Sequence, residues 1–260
     1  MSNYDRTNPG RFGAGQSGAG ALALDQGLRA YMLGVYNNMA IGLALTGLVA
    51  YATNLFAVAA SPADQAARAG SIALTSFGVA IYTGPLHWIV MLAPLAFVLF
   101  FSFKINTMSA ATARATFFAF AAVMGLSLSV ILLVYTQSSI YRAFFVAAAA
   151  FGGLSLIGYT TKRDLSAMGA FLGMAVIGIV IAGLVNLFVQ STMFQFALSA
   201  LTVLVFAGLT AYDTQSIKEM YFEGDSHDVA TRKSVNGALR LYLDFINIFM
   251  SLLQMFGDRR

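Results

Sequence analysis

Seven apolar stretches, near residues 31–56, 86–103, 115–135, 140–159, 168–190, 195–217 and 236–256, dominate the sequence and limit what it can fold into. Each is close to the roughly 20 residues that an α-helix needs to cross about 30 Å of hydrocarbon. Lipid offers a peptide group no hydrogen-bond partner, so a chain that enters it must pair its own N–H and C=O groups, and a helix does this within one segment. Only 10% of the residues are Asp, Glu, Lys or Arg, and 58% are hydrophobic. Soluble domains carry about 25% charge, so this chain has too little polar surface to cover a globule in water. The expected fold is an all-α integral membrane protein, a bundle of seven transmembrane helices.

Residues 1–28 carry Gly10, Gly13, Gly15, Gly18, Gly20 and Gly27 among polar neighbours. They lack the apolar run of a signal peptide and are expected to be a flexible cytosolic tail. Residues 29–257 form the membrane domain, and 258–260 a C-terminal tail. Segment 57–85 holds Ser61-Pro62, Asp64 and Arg68, then an uncharged run from Gly70 closed by Gly84-Pro85. That run is too short to span comfortably, so an interfacial or re-entrant loop is expected there in place of an eighth helix. No internal repeat marks the chain as an inverted-repeat transporter. Gly169-Ala-Phe-Leu-Gly173 is expected to serve close helix packing.

Orientation follows from the basic residues. With the tail inside, Arg6, Arg11, Arg29, Lys104, Arg114, Lys162, Arg163, Lys218, Arg232 and Lys233 lie on the inner side, against Arg68, Arg142, Arg259 and Arg260 outside. The positive-inside rule then places the N-terminus in the cytosol and the C-terminus outside. The net charge of +4 includes no Lys/Arg-rich run, so nucleic acid is not an expected partner. Cysteine is absent, which excludes disulfides, thiolate metal sites and cysteine nucleophiles. His87 and Trp88, beside Pro85, are expected to anchor a helix end at the interface. His227, with Glu223, Asp225 and Asp228, is expected to belong to a solvated charged loop.

Away from the ends of the apolar runs, charge is confined to Asp213, Arg240 and Asp244. Each costs at least about 2.5–3.5 kcal/mol at mid-membrane, so such groups face a bundle interior or a water cavity and are functional candidates. Asp213 precedes Lys218 by five residues and Asp244 follows Asn236 by eight. At about 1.5 Å per residue they sit about 7 and 12 Å from the same membrane face. Arg240, Asp244, Asn247, Ser251 and Gln254 fall on one face of the last helix, opposite Leu241, Phe245, Ile248 and Leu252. Thr202, Thr210 and Asp213 make a weaker stripe on the sixth. Two arrangements fit: the carboxylates meet between helices, or Asp244 pairs with Arg240 one turn away and Asp213 reaches water.

Gly158-Tyr-Thr-Thr-Lys-Arg-Asp-Leu-Ser166, Gly208-Leu-Thr-Ala-Tyr-Asp-Thr-Gln215 and Ala238-Leu-Arg-Leu-Tyr-Leu-Asp-Phe-Ile-Asn247 resemble the signatures of the transmembrane Bax inhibitor motif family, also called the Bax inhibitor-1 family. The resemblance covers residues 29–257. It implies seven helices with the C-terminal one central, and a di-aspartyl pH sensor, at Asp213 and Asp244, that gates a calcium leak. It also implies a basic latch at the inner end of the second helix. By position this is Lys104, with Arg240 as a local competitor. The second-helix glutamate of some bacterial members has no counterpart in Leu92-Ala93-Pro94. Relatives are linked to suppression of cell death in eukaryotes and, in some bacteria, to modulation of a membrane-bound AAA protease, so the resemblance implies a non-transporting membrane regulator of either kind as the alternative reading. The Gly-rich tail is the segment that such a membrane protein partner would meet.

Two carboxylates held close in a low-dielectric interior share one proton and titrate as a unit. Protonated, they lose their hold on a basic latch; deprotonated, they bind a cation or the latch. Ca²⁺ prefers oxygen ligands, and Asp213, Asp244, Asn247 and Ser251 with carbonyls and water offer a transient, weak set. The expectation is a pH-sensitive calcium leak in a bacterial cytoplasmic (inner) membrane, with calcium, protons and lipid as partners, no cofactor and no catalytic residue. An intramembrane aspartyl protease is a remote alternative, because the second Asp stands in Leu-Tyr-Leu-Asp and no later Pro-Ala-Leu element follows. Gly125-Leu-Ser127-Leu128 is a loose match to a rhomboid serine motif, with no later-helix histidine. A retinal protein is excluded, because the seventh helix has no lysine.

Overall fold

The computed structural model describes residues 14–69 and 72–260. Helix α1 runs Ala14–Ala57, followed by a 3₁₀ turn at Pro62–Asp64 and the strands β1 (Ala67–Ala69) and β2 (Ile72–Leu74). Then come α2 (Ser76–Tyr82), α3 (Leu86–Lys104), α4 (Ala110–Leu128), α5 (Ile131–Val134), α6 (Gln137–Thr160), α7 (Ser166–Val189), α8 (Thr192–Glu219) and α9 (His227–Phe256). Among the described residues, 7 helices are long and apolar enough to cross a membrane. The expected all-α membrane bundle is what the chain forms.

Helix α9 is the axis of the bundle. Leu241, Tyr242, Phe245, Ile248 and Leu253 bury one side of it while Asp244 and Ser251 are buried on another, so it is enclosed nearly all round. Helices α1, α4, α6 and α8 pack around it. Helix α7 lies at the opposite extreme. Only Gly169 and Leu172 of it are buried, while Phe171, Ile177, Ile181 and Phe188 are exposed, as befits a helix that meets lipid on most of its surface and packs chiefly on α8. The α7–α8 turn is tight: Gln190 takes a left-handed conformation, φ 51°, and Ser191 caps α8 by accepting from Phe194 N.

The segment 57–85 does not span. It forms an antiparallel hairpin, pairing Ala67 with Leu74, Arg68 with Ala73 and Ala69 with Ile72. The short α2 follows, capped by Thr75 Oγ1, which accepts from Gly78 N at 3.1 Å. Tyr82 Oη donates to Ser129 Oγ at 3.0 Å, which ties this segment to the end of α4. The strands are a small departure from an all-helical chain.

The N-terminal end differs from expectation. The backbone of residues 14–28, expected to be part of a flexible tail, is helical and continuous with α1; residues 1–13 lie outside the described residues. The C-terminal tail, residues 258–260, is pinned. Thr136 N donates to Asp258 O at 3.0 Å and Arg260 N to Val134 O at 2.9 Å. Asp258 N donates to Ser139 Oγ at 3.0 Å, and the Arg259 guanidinium lies 6.0 Å from the centre of the Tyr135 ring.

Small residues set the spacing around α8. A Cβ on Gly158 would collide with the Ala211 carbonyl, and one on Gly169 with the Tyr212 ring. Gly173, the other end of the Gly-xxx-Gly segment, has open space, so only Gly169 packs closely. The Gly158 contact joins two backbones, so no rotamer change relieves it. Gly158→Ala is expected to push α6 from α8 and to cost about 1–3 kcal/mol, read as a lower melting temperature in detergent. An unchanged melting temperature would mean the two helices are not seated as described.

At the α6–α7 loop, Gln215 on α8 acts as a clamp. Its Nε2 donates to Arg163 O at 2.8 Å and its Oε1 accepts from Leu165 N at 2.8 Å. In the same loop the Ser166 hydroxyl and N–H, the latter 2.8 Å from Asp164 Oδ1, hold the Asp164 carboxyl below the ordinary carboxylate range.

Candidate functional site: an acidic pair on the two last spans

Helices α8 and α9 are joined by the short loop 220–226 and pack against each other along their length. Helical periodicity then fixes which side chains meet. On α8, Thr210 and Thr214 donate to carbonyls one turn back, Phe206 O at 2.8 Å and Thr210 O at 2.7 Å. The helix thereby absorbs its own hydroxyls and leaves Asp213 to look outward for a partner.

That partner comes from α9. Arg240 Nη2 forms an ion pair with Asp213 Oδ1, and Arg240 Nη1 donates to Ser216 Oγ at 3.4 Å. Asp213 and Asp244 are 7% and 4% exposed, and their carboxyl groups lie within hydrogen-bond reach of each other. Asp244 Oδ2 is buried and has no hydrogen-bond partner among the described residues. A proton held between the two carboxyls would satisfy it. The local alternative, Arg240 paired with Asp244 one turn away, is not what forms: Arg240 reaches across to α8, and Asp213 is buried, not bathed in water.

The other predicted site residues divide. Asn247 lies on the same face of α9 as Asp244, but its Nδ2 is used by Leu243 O at 2.8 Å, leaving its Oδ1. Ser251 is buried, yet seven residues at about 1.5 Å each place it about 10 Å further along the axis. A cation at Asp244, with ligands at about 2.3–2.6 Å, cannot include it. Ser251 belongs to a separate station on the stripe, and Gln254, beyond it, accepts from Ser199 Oγ at 3.0 Å. Lys104 is exposed at the end of α3, and its side chain makes no ion pair among the described residues. The basic group on the acidic pair is therefore Arg240.

Ser216 was not singled out from the sequence, although its position three residues after Asp213 places both on one face of α8. Equally unanticipated is a hydroxyl chain beside the pair. Tyr36 Oη lies 2.6 Å from Ser155 Oγ, which lies 3.1 Å from Thr214 Oγ1. Because Thr214 donates to Thr210 O, the chain runs from α1 through α6 to α8, each hydroxyl donating to the next. No pattern within one helix reveals it, because each residue is on a different span.

The remaining histidines stand apart from the pair. His87 and Trp88 stack edge to face at 5.9 Å at the start of α3, with Trp88 exposed. His227 is the first residue of α9, and Asp225 beside it is held by Lys233 at 2.5 Å. Among the described residues no group of 3 or more His, Cys, Asp or Glu is placed to hold a metal. A cation at the acidic pair would thus take two carboxylates and draw its other oxygens from amide, carbonyl and water, which is the composition of a weak site.

Known proteins are similar to this chain in sequence along most of its length. The family model described as "Inhibitor of apoptosis-promoting Bax1" matches residues 28–260. An uncharacterized protein of Rickettsia prowazekii is 42% identical over 236 residues, covering 91% of this chain and 92% of its own. Inner membrane protein YbhL of Escherichia coli K12 is 43% identical over 238 residues, covering 90% and 94%. A Caulobacter vibrioides protein is 43% identical over 241 residues, with 92% of each covered. The chain, with its seven membrane-length helices and its family match from residue 28 to residue 260, belongs to the Bax inhibitor-1 family.

Proposed function

We propose that the protein is a pH-sensitive cation leak of the inner membrane, passing calcium, with Asp213 and Asp244 as the gate. What supports this reading most is the ion pair from Arg240 to a buried carboxylate that has a second buried carboxylate within reach. With both groups ionised, the pair holds the Arg240 guanidinium between α8 and α9 and the path is shut. One added proton, shared between the carboxyls, removes a unit of charge. It weakens the hold on Arg240 while leaving one negative charge to attract a passing cation. Weak coordination favours passage over storage. The gate needs no histidine.

The positive-inside balance sets the N-terminus in the cytosol and the C-terminus outside, which puts the acidic pair nearer the cytosolic face. The Escherichia coli relative is named an inner membrane protein, and this chain takes the same location. The pair acts as a titrating gate and not as a catalytic dyad, since a guanidinium bound to one carboxylate opposes its use as a base toward water. The test is calcium flux into proteoliposomes measured across roughly pH 6–8, with the two carboxyls titrating as one unit. Wild-type flux is expected to rise toward acid. Asp213→Asn and Asp244→Asn are each expected to flatten that dependence; variants that keep the wild-type profile would overturn the mechanism.

A further inference from the structure

A second polar site lies where α1, α4 and the start of α9 converge. A cavity of about 240 Å³ there is bordered by Arg114 of α4, His227 and Thr231 from the first turns of α9, Tyr31 and Asn38 of α1, and Ser234. Tyr31 is 7% and Ser234 6% exposed. Tyr31 Oη and Ser234 Oγ are both buried with no hydrogen-bond partner among the described residues. Leaving a buried hydroxyl unpaired costs about 1–3 kcal/mol, and native chains seldom tolerate two at one place.

Among the described residues that line the cavity, the formally charged side chain is Arg114. No Asp or Glu of the described residues lines it. Asp225, whose charge reaches Tyr31, is engaged by Lys233 at 2.5 Å, and Asp228, in the first turn of α9, is outside the lining. The N-terminus of the 30-residue α9 adds its partial positive charge. An arginine, a histidine, orphaned hydroxyls and an amide, with no carboxylate among them, form a donor set in search of an acceptor. A planar guanidinium fits the oxygens of a phosphate two at a time. At about 30 Å³ per water, the volume holds a phosphate group and some of its hydration.

We propose that this cavity binds a phosphate group, held by Arg114 at the rim and by Tyr31, Ser234 and the start of α9 within, and carried either on a lipid headgroup or as free phosphate. The lining includes none of Asp213, Arg240 and Asp244, and the test reads binding directly, so it stands or falls independently of ion flux. The full-length protein in phosphatidylcholine nanodiscs is titrated with inorganic phosphate against chloride at matched ionic strength. In parallel, lipid retained by the protein from mixed phosphatidylglycerol and phosphatidylcholine membranes is counted by native mass spectrometry.

Saturable phosphate binding that weakens about tenfold in Arg114→Gln assigns free phosphate. Preferential retention of phosphatidylglycerol that Arg114→Gln abolishes, without binding of the free ion, assigns the headgroup. Tyr31→Phe supplies an independent readout of sign. Without phosphate or anionic lipid it is expected to leave the melting temperature unchanged or higher, because an orphaned hydroxyl is gone. With either present it is expected to lose part of the ligand-induced rise. Absence of both kinds of binding, or binding that Arg114→Gln and Tyr31→Phe leave intact, overturns the proposal.

Discussion

Replacing Arg240 with Gln is expected to raise calcium flux at the alkaline end of the profile about tenfold and to erase most of its pH dependence. Arg240 is the only basic side chain paired with Asp213 among the described residues. Removing one partner of a fully buried ion pair costs about 3–5 kcal/mol. The Arg240 side chain is 32% exposed against 10% for Asp213, so solvent screening reduces this to about 1–2 kcal/mol, near a factor of ten in the balance between shut and open. Arg240→Lys keeps the charge but not the fork that reaches Asp213 and Ser216 together, and should fall between. Lys104→Gln changes an exposed side chain that makes no ion pair among the described residues and should leave the profile in place. Flux in Arg240→Gln that matches wild type at every pH, or a profile lost in Lys104→Gln, would assign the latch elsewhere.

The largest loss of stability is expected from Tyr242→Ala, about 3–5 kcal/mol. Tyr242 is 0% exposed. Its ring meets Phe117 and Phe120 edge-on, at 5.8 and 5.6 Å between centres, and truncation leaves a void that α1, α4 and α9 cannot close without shifting. Its hydroxyl lies 2.7 Å from Thr46 Oγ1. Thr46 already donates to Gly42 O and Ala121 O, so Tyr242 is the donor in that bond. Tyr242→Phe keeps the ring and forfeits only one neutral hydrogen bond, about 1 kcal/mol. Thermal unfolding in detergent should therefore rank wild type, Tyr242→Phe and Tyr242→Ala in that order with a wide second gap. Equal melting temperatures would show that α9 is not the packed axis of the bundle.

The spans were legible in the sequence because hydrophobic length is a local property, and the runs at 86–103 and 168–190 correspond closely to α3 and α7. Their ends were less so. The start of α9 lies at His227, well before the apolar run at 236, because its first turns carry Arg232 and Lys233 outside the most apolar part of the helix. The placement of Asp213 and Asp244 near each other followed from depth along two consecutive spans, and that arithmetic needs no tertiary information. The choice between Arg240 and Lys104 did need it. An arginine four residues from an aspartate on one helix reads as a local pair, and only the rotation of α9 against α8 directs it to Asp213. The chain Tyr36, Ser155 and Thr214 and the orphaned hydroxyls of Tyr31 and Ser234 come from separate spans brought together by packing, so no pattern along the chain announces them.

The pinned C-terminus bears on how the central helix can move. Gly257 through Arg260 follow α9 directly, and three backbone N–H bonds, from Thr136, Asp258 and Arg260, fasten this strap to the start of α6 and the end of α5. A piston stroke of α9 along its own axis would have to break all of them together. Release of Arg240 from Asp213 is cheaper as a swing of the side chain or a tilt of α8, with α9 acting as a fixed mast against which its neighbours lean.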